Sequence, residues 1–189
     1  MMNNRPTQNH GSKTESIPYE QIGDFPSSIT PSNLLKRFLD GLGYRYHWAT
    51  KSLSETDLAF RICEGARSSF ETIVHIYDIS GFVLGVAQQA YNGPVAESGH
   101  LTFQELRTQT LDRLSAASEL FGKMTEDEFL QLSIKVQQGE HQFQMPLWNL
   151  LNGPISDAIY HVGQVVAYRR ASGNPIDPRV DIFTGQNQS

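Results

Sequence analysis

Asn152-Gly-Pro-Ile-Ser-Asp157-Ala-Ile-Tyr-His161-Val-Gly163-Gln164, running on to Tyr168-Arg169-Arg170, reads as the opening turns of a helix. Gly153-Pro154 is the start signal: proline at the first helical position gives up an N–H that lacks a partner there, and its ring presets φ. Asp157 and His161 then stand four residues apart, one above the other on the same face. That spacing suits two ligands of one divalent metal, although it also arises by chance. Ser172-Gly173-Asn174-Pro175 ends the helix with a glycine stop followed by proline.

Upstream, Thr30-Pro31 repeats the start signal. Leu35, Leu39, Leu42, Tyr46, Ala49 and Leu53 follow at alternating steps of four and three, the mark of a helix burying one stripe. Gly41 and Gly43 weaken it locally. Ser54-Glu-Thr-Asp57 predicts a shorter capped segment. Ser68-Ser-Phe-Glu71 and Thr102-Phe-Gln-Glu105 are capping boxes, in which hydroxyl and carboxylate satisfy free backbone N–H groups reciprocally. The first opens a helix through Ile73, Ile76, Val83 and Val86, ending near Asn92-Gly93-Pro94. The second opens one through Leu106, Leu114, Ala117 and Leu120.

Between Phe129 and Met145 the period changes. Leu130, Leu132, Ile134 and Val136 alternate with polar residues, as do His141, Phe143 and Met145 beyond Gln-Gln-Gly139, which predicts a β-hairpin. Residues 1–29 are rich in Asn, Ser, Pro and Gln and read as a tail, laid over the body from Ile17 to Phe25. Residues 30–189 form the domain, and its last residues read as an extended tail.

The net charge of −5 argues against nucleic acid as a partner, since phosphate binding needs clustered Lys and Arg. The basic pair Arg169-Arg170 at a helix C-terminus complements the dipole. No apolar run approaches the ~20 residues that span a bilayer, and the polar N-terminus lacks the apolar core of a signal peptide. Cys63 stands alone, a small buried hydrophobe or a reactive thiol, with no disulfide framework. These features predict a cytoplasmic protein.

A third ligand should come from another helix. His75, in Ile73-Val-His75-Ile-Tyr-Asp78, is the histidine inside a strongly apolar helix, where an unpartnered imidazole is costly. A core histidine bonded to a carbonyl is the competing reading. Glu71 and Asp78 lie about one turn either side and could reach the site as base or orienter, with capping the stronger role for Glu71. Gln164 and Tyr168 follow His161 at steps of three and four. His47 lies off the main stripe of its helix and could face the bundle or solvent. His10, His100 and His141 fall in loops or at strand edges.

Taken together, these segments resemble the DinB superfamily of metal-binding four-helix bundles. The resemblance covers roughly residues 30 to 185. It rests on His75 in the second long helix, on Asp157-Ala-Ile-Tyr-His161-Val-Gly163-Gln164 in the last, and on Arg169 beyond it. Gly41-Leu-Gly43-Tyr44-Arg-Tyr46-His-Trp48-Ala-Thr50 with Leu53-Ser-Glu-Thr-Asp57 also looks like the first-helix region of one branch. It implies an all-α fold, a DinB-like four-helix bundle with a short β-hairpin insertion and extended tails, and it leaves no place for a parallel sheet. It further implies a divalent metal on His75, Asp157 and His161, where the family most often has histidine in place of Asp157. Zinc accepts that set, and Fe or Ni are alternatives. Relatives include bacillithiol- and mycothiol-dependent transferases, so hydrolysis or thiol transfer on a small-molecule substrate is implied, with a thiol as co-substrate. A non-catalytic stress-response or binding module is the alternative. A homodimer is expected, with Tyr44, Trp48 and Trp148 as surface anchors or, equally, as caps on the bundle ends.

Overall fold

The computed structural model describes residues 17–93 and 98–188. Its frame is four long helices: α1 (Pro31–Thr50), α3 (Ser69–Ala87), α4 (Phe103–Lys123) and α7 (Ser156–Ala171). Helices α1 and α3 each pack on both α4 and α7, so the four close a ring around one core. Leu39, Ile73, Val83, Leu106, Leu111 and Phe121 are fully enclosed there. The molecule is thus mainly helical, with a small sheet at one side. Helix α3 has the length and composition of a membrane-crossing segment, yet its residues Ile73, Ile76, Val83 and Val86 belong to this core.

The capping signals act as expected. Thr30 Oγ1 accepts the Asn33 N–H at 3.2 Å and Pro31 opens α1. Ser54, Ser68 and Thr102 each form reciprocal boxes with Asp57, Glu71 and Glu105, the first opening the short α2 (Glu55–Ala59). Helix α1 runs unbroken through Gly43, which is there for a steric reason, because a Cβ would run into the Tyr19 ring. Helix α3 stops at Ala87 rather than near Asn92.

Strands β2 (Ser133–Gln138) and β3 (His141–Pro146) form the expected hairpin, turning at Gly139, where φ is +61°. Two features depart from expectation. Leu130 belongs to a capped helix, α5 (Glu126–Leu130), and is exposed instead of alternating inward. Strand β1 (Tyr91–Asn92) pairs in parallel with Lys135–Val136, a two-residue bridge reached by a crossover through α4. The expectation of no parallel pairing is therefore corrected. Two residues carry no period, and their partner is more than forty residues away.

The ends of the chain also do more than trail. A second hairpin, β4 (Val180–Asp181) with β5 (Gln186–Asn187), lies beside Ile22, whose N–H donates to Gly185 O at 2.9 Å. Tyr44 and Trp48 are buried under these segments, so they are not surface anchors. The Tyr44 hydroxyl donates to Asn187 Oδ1 (2.9 Å) and the Trp48 indole N–H to Glu20 O (3.2 Å). Trp148 alone of the three is exposed, at 76%. Cys63 is exposed and not a core residue, and His10 lies outside the described residues.

Candidate metal centre

The start of α7 is built by a kink. The chain enters through α6 (Trp148–Leu150) and a π-helical turn, Leu151–Ile155, in which Gly153 leaves the helical region (φ −101°, ψ −107°). Pro154 has no N–H to give to a regular helix at that point. Gly153-Pro154 is thus a bend inside a longer helical path, not its first turn. Ser156 Oγ donates to Leu151 O at 2.6 Å and bridges the bend. Regular α-helix resumes at Ser156 and carries Asp157 and His161 in its first turns, facing His75 on α3.

The three residues converge. His75 Nε2 lies 3.2 Å from Asp157 Oδ2, and His161 Nε2 lies 3.3 Å from Asp157 Oδ1. The two imidazoles meet edge to face, their centroids 4.7 Å apart, and one donor atom from each of the three falls within 4.8 Å of the others. Two ligands each about 2.1 Å from a tetrahedral zinc stand about 3.4 Å apart, close to the two carboxylate–imidazole separations. His161 is buried, whereas the Asp157 side chain is 47% exposed. The set is anchored on its protein side and open on the other.

The tautomer of His161 sharpens the case. Its Nδ1 stands 2.7 Å from Gln164 Oε1, an oxygen that only accepts, so Nδ1 carries the proton. With that proton its only one, the ring turns its Nε2 lone pair toward the Asp157 carboxylate. Two lone pairs at 3.3 Å repel unless a proton or a cation lies between them. The donor set, two imidazole nitrogens and one carboxylate, is one that zinc or Fe(II) takes with positions left open. The residues fit a divalent metal.

The other sequence candidates separate into near and far. Gln164 is in place, holding His161. Asp78 lines the same groove as Asp157 and accepts from Ser98 Oγ at 2.7 Å. Glu71 is held as a cap and ion pair, receiving Ser68 N and both Arg61 nitrogens at 2.7–2.9 Å. Those bonds, Arg61 first and the Ser68 N–H next, hold its carboxyl down at about 2. Tyr168 shares the face of His161, but seven residues of helix separate them by about 10 Å. It is buried against Phe60, 5.7 Å between rings, and is not in the site. His47 is likewise not in the site. It is buried near the end of α1 with Nδ1 2.8 Å from Pro18 O, and burial, with help from Arg107 and Lys51, lowers its pKa.

Sequence reasoning missed Tyr160. Its ring lies edge-on to His161 at 5.4 Å and forms part of the groove with Ile79, Phe82, Asn152 and Pro154. Its place three residues after Asp157 was the available signal. Compared with known proteins, the chain matches no family model, no curated protein and no solved structure.

Proposed function

We propose that this chain is a metal-dependent enzyme with a DinB-like bundle, a hydrolase or a low-molecular-weight thiol transferase. His75, Asp157 and His161 hold one divalent cation, zinc first, with Fe or Ni as alternatives. The observation that carries this reading is the convergence of the three donors with Gln164 fixed behind His161. The ring of four long helices, with one donor on α3 and two at the start of α7, supports the family resemblance.

When bound, such a cation supplies Lewis acidity, bringing the pKa of water or a thiol toward neutrality. The chain's own residues do the rest. Gln164 keeps Nδ1 of His161 protonated, so that Nε2 is the free donor. Asp157 contributes charge from the solvent-facing side of the set. Asp78, in the same groove, is placed to take a proton from a small-molecule substrate or a thiol co-substrate. The expected compartment is the cytoplasm.

A second reading is a non-catalytic module, and one feature favours it. Asp157 offers one oxygen to each imidazole, which is also how a carboxylate bridges two rings without metal. Elemental analysis of protein purified without chelator decides between them. About one equivalent of metal per chain is expected; metal-free protein that also fails to take up added zinc would leave the bridge as the better account.

A further inference from the structure

A second cavity adjoins this groove. It lies between the first turns of α1, helix α5 and the junction of β3 with α6, and encloses about 990 Å³. Leu34, Phe38, Leu130 and Trp148 line it, each between 44% and 76% exposed. Isolated exposed apolar side chains need no explanation, but four on one concave surface do. Among the described residues, no charged residue lines it. Asn152 and Ser156 line both this cavity and the groove that holds Asp157, and Ser156 is the residue before Asp157. The π-helical turn and the start of α7 thus form a shared wall between the groove that carries the carboxylates Asp78 and Asp157 and a cavity without a carboxylate among its described lining residues.

We infer that this cavity is the subsite for the hydrocarbon or aryl arm of the substrate. The substrate class is an amphipathic small molecule, with a polar head at the Asp157 groove and an uncharged arm laid across Asn152 and Ser156 against Trp148. The inference rests on the metal-site reading for the position of the head. The cavity is at the upper end of the size range of small-molecule pockets, ~300–1,000 Å³. A charged group there would meet no ionic partner among the described lining residues and would give up part of its hydration, so an uncharged arm fits better.

The test titrates the zinc-loaded full chain with straight-chain hydroxamates, from acetohydroxamate to decanohydroxamate, by calorimetry and tryptophan emission. Affinity should rise roughly three- to fourfold per methylene until the cavity is filled, with a blue shift from Trp148. Trp148→Phe should keep the chain-length series and lose the shift. Leu34→Glu, a change at an exposed position, should flatten the series while acetohydroxamate binds as before. A flat series in the wild type overturns the subsite. So does light scattering that shows a dimer with Trp148 already shielded, because a second copy then covers the face. The corresponding 1-alkanols separate this inference from the metal reading. If they follow the chain-length series while the hydroxamate head adds nothing, the subsite stands and the metal reading falls.

Discussion

The two ends of α7 carry polar clusters of opposite design. At its C-terminal end Asp57, Arg169, Ser172 and Asn174 form a network in which the polar atoms are used up. Asp57 is 2% exposed, and its carboxylate accepts from Ser54 N and Oγ, Asn174 Nδ2 and Ser172 Oγ. Arg169, equally enclosed, donates to Trp48 O and Ala49 O, the unpaired carbonyls that end α1, and to Asn174. At the N-terminal end Asp157 is half exposed, and its carboxylate faces two imidazole nitrogens beyond 3 Å. A carboxylate with four close donors is spent on structure. One left between two imidazoles and solvent has capacity for a ligand.

The largest expected effect breaks the open end while sparing the fold. His161→Ala should abolish stoichiometric metal while the far-ultraviolet circular dichroism stays near wild type. Its Nε2 is a donor, whereas its ring adds little to the core formed by Leu150, Ile155 and Val162. Equal metal in wild type and variant would remove His161 from the ligand set. Asp157→His should hold metal at least as tightly, and weaker binding would mean that the geometry is built around a carboxylate. If metal-free Asp157→Ala loses more than about 1 kcal/mol of stability, the contrast between the two ends fails.

At the closed end the next effect is on stability. Arg169→Met keeps most of the aliphatic stem but leaves Trp48 O and Ala49 O without these donors inside the protein. Burial pulls the Arg169 pKa down, with the Asp57 charge opposing it, so the guanidinium is held by the network around it. Removing it should cost about 3 kcal/mol, read as a lower urea midpoint at unchanged slope. A loss under about 1 kcal/mol would make this end no more structural than the other.

These contrasts show what could be read from the chain. The starts of α3 and α4 were legible because a cap is local: Ser68 with Glu71 and Thr102 with Glu105 carry their own partners within three residues. The equally local box of Thr125 with Glu128 was missed, its helix reading as strand at Leu130, and Gly153-Pro154 is a bend. His75, Asp157 and His161 were legible because spacing and an apolar context single them out. Arg169 was not. Next to Arg170 it reads as a dipole-complementing surface charge, yet it is buried because α1 ends beside it, more than a hundred residues away in sequence. The anchor reading of Tyr44 and Trp48 failed for the same reason: the sequence predicts a segment from Ile17 to Phe25 lying over the body, but nothing local announces that residues 180–187 join it over these two rings. Tyr168 shows the limit of face arguments: sharing a stripe with a ligand does not shorten the distance along the helix.

The closed end should also reveal itself in acid. Burial acts to raise the Asp57 pKa, but bonds from Ser172, Asn174 and Ser54 outweigh it and hold the carboxyl at about 2, against an ordinary 3.8. The unfolded chain therefore binds more protons than the native one between those values, so stability rises with pH through that window and is flat above it. Its contribution, about 2 kcal/mol, is present above pH ~4 and lost as pH falls through about 2. Urea midpoints from pH 2 to 6 should show this loss in the wild type and a flatter profile in Asp57→Asn. A parallel profile in the variant would place the acid sensitivity elsewhere.

The smallest effect concerns Gly163, between the ligand His161 and its partner Gln164. The resemblance includes this glycine in its motif but assigns it no role at the site. Its surroundings give it no role there. It is exposed on α7, its φ lies outside the left-handed region, and a Cβ built there meets nothing within 4 Å. A glycine inside a helix costs backbone entropy that alanine does not. Gly163→Ala should therefore stabilise the protein by about 0.5–1 kcal/mol, with metal content unchanged. A destabilised variant would mean that something approaches the helix at this point. Unaltered stability with weakened metal binding would mean that the glycine serves the flexibility of the turn carrying His161, and would move it from the frame to the site.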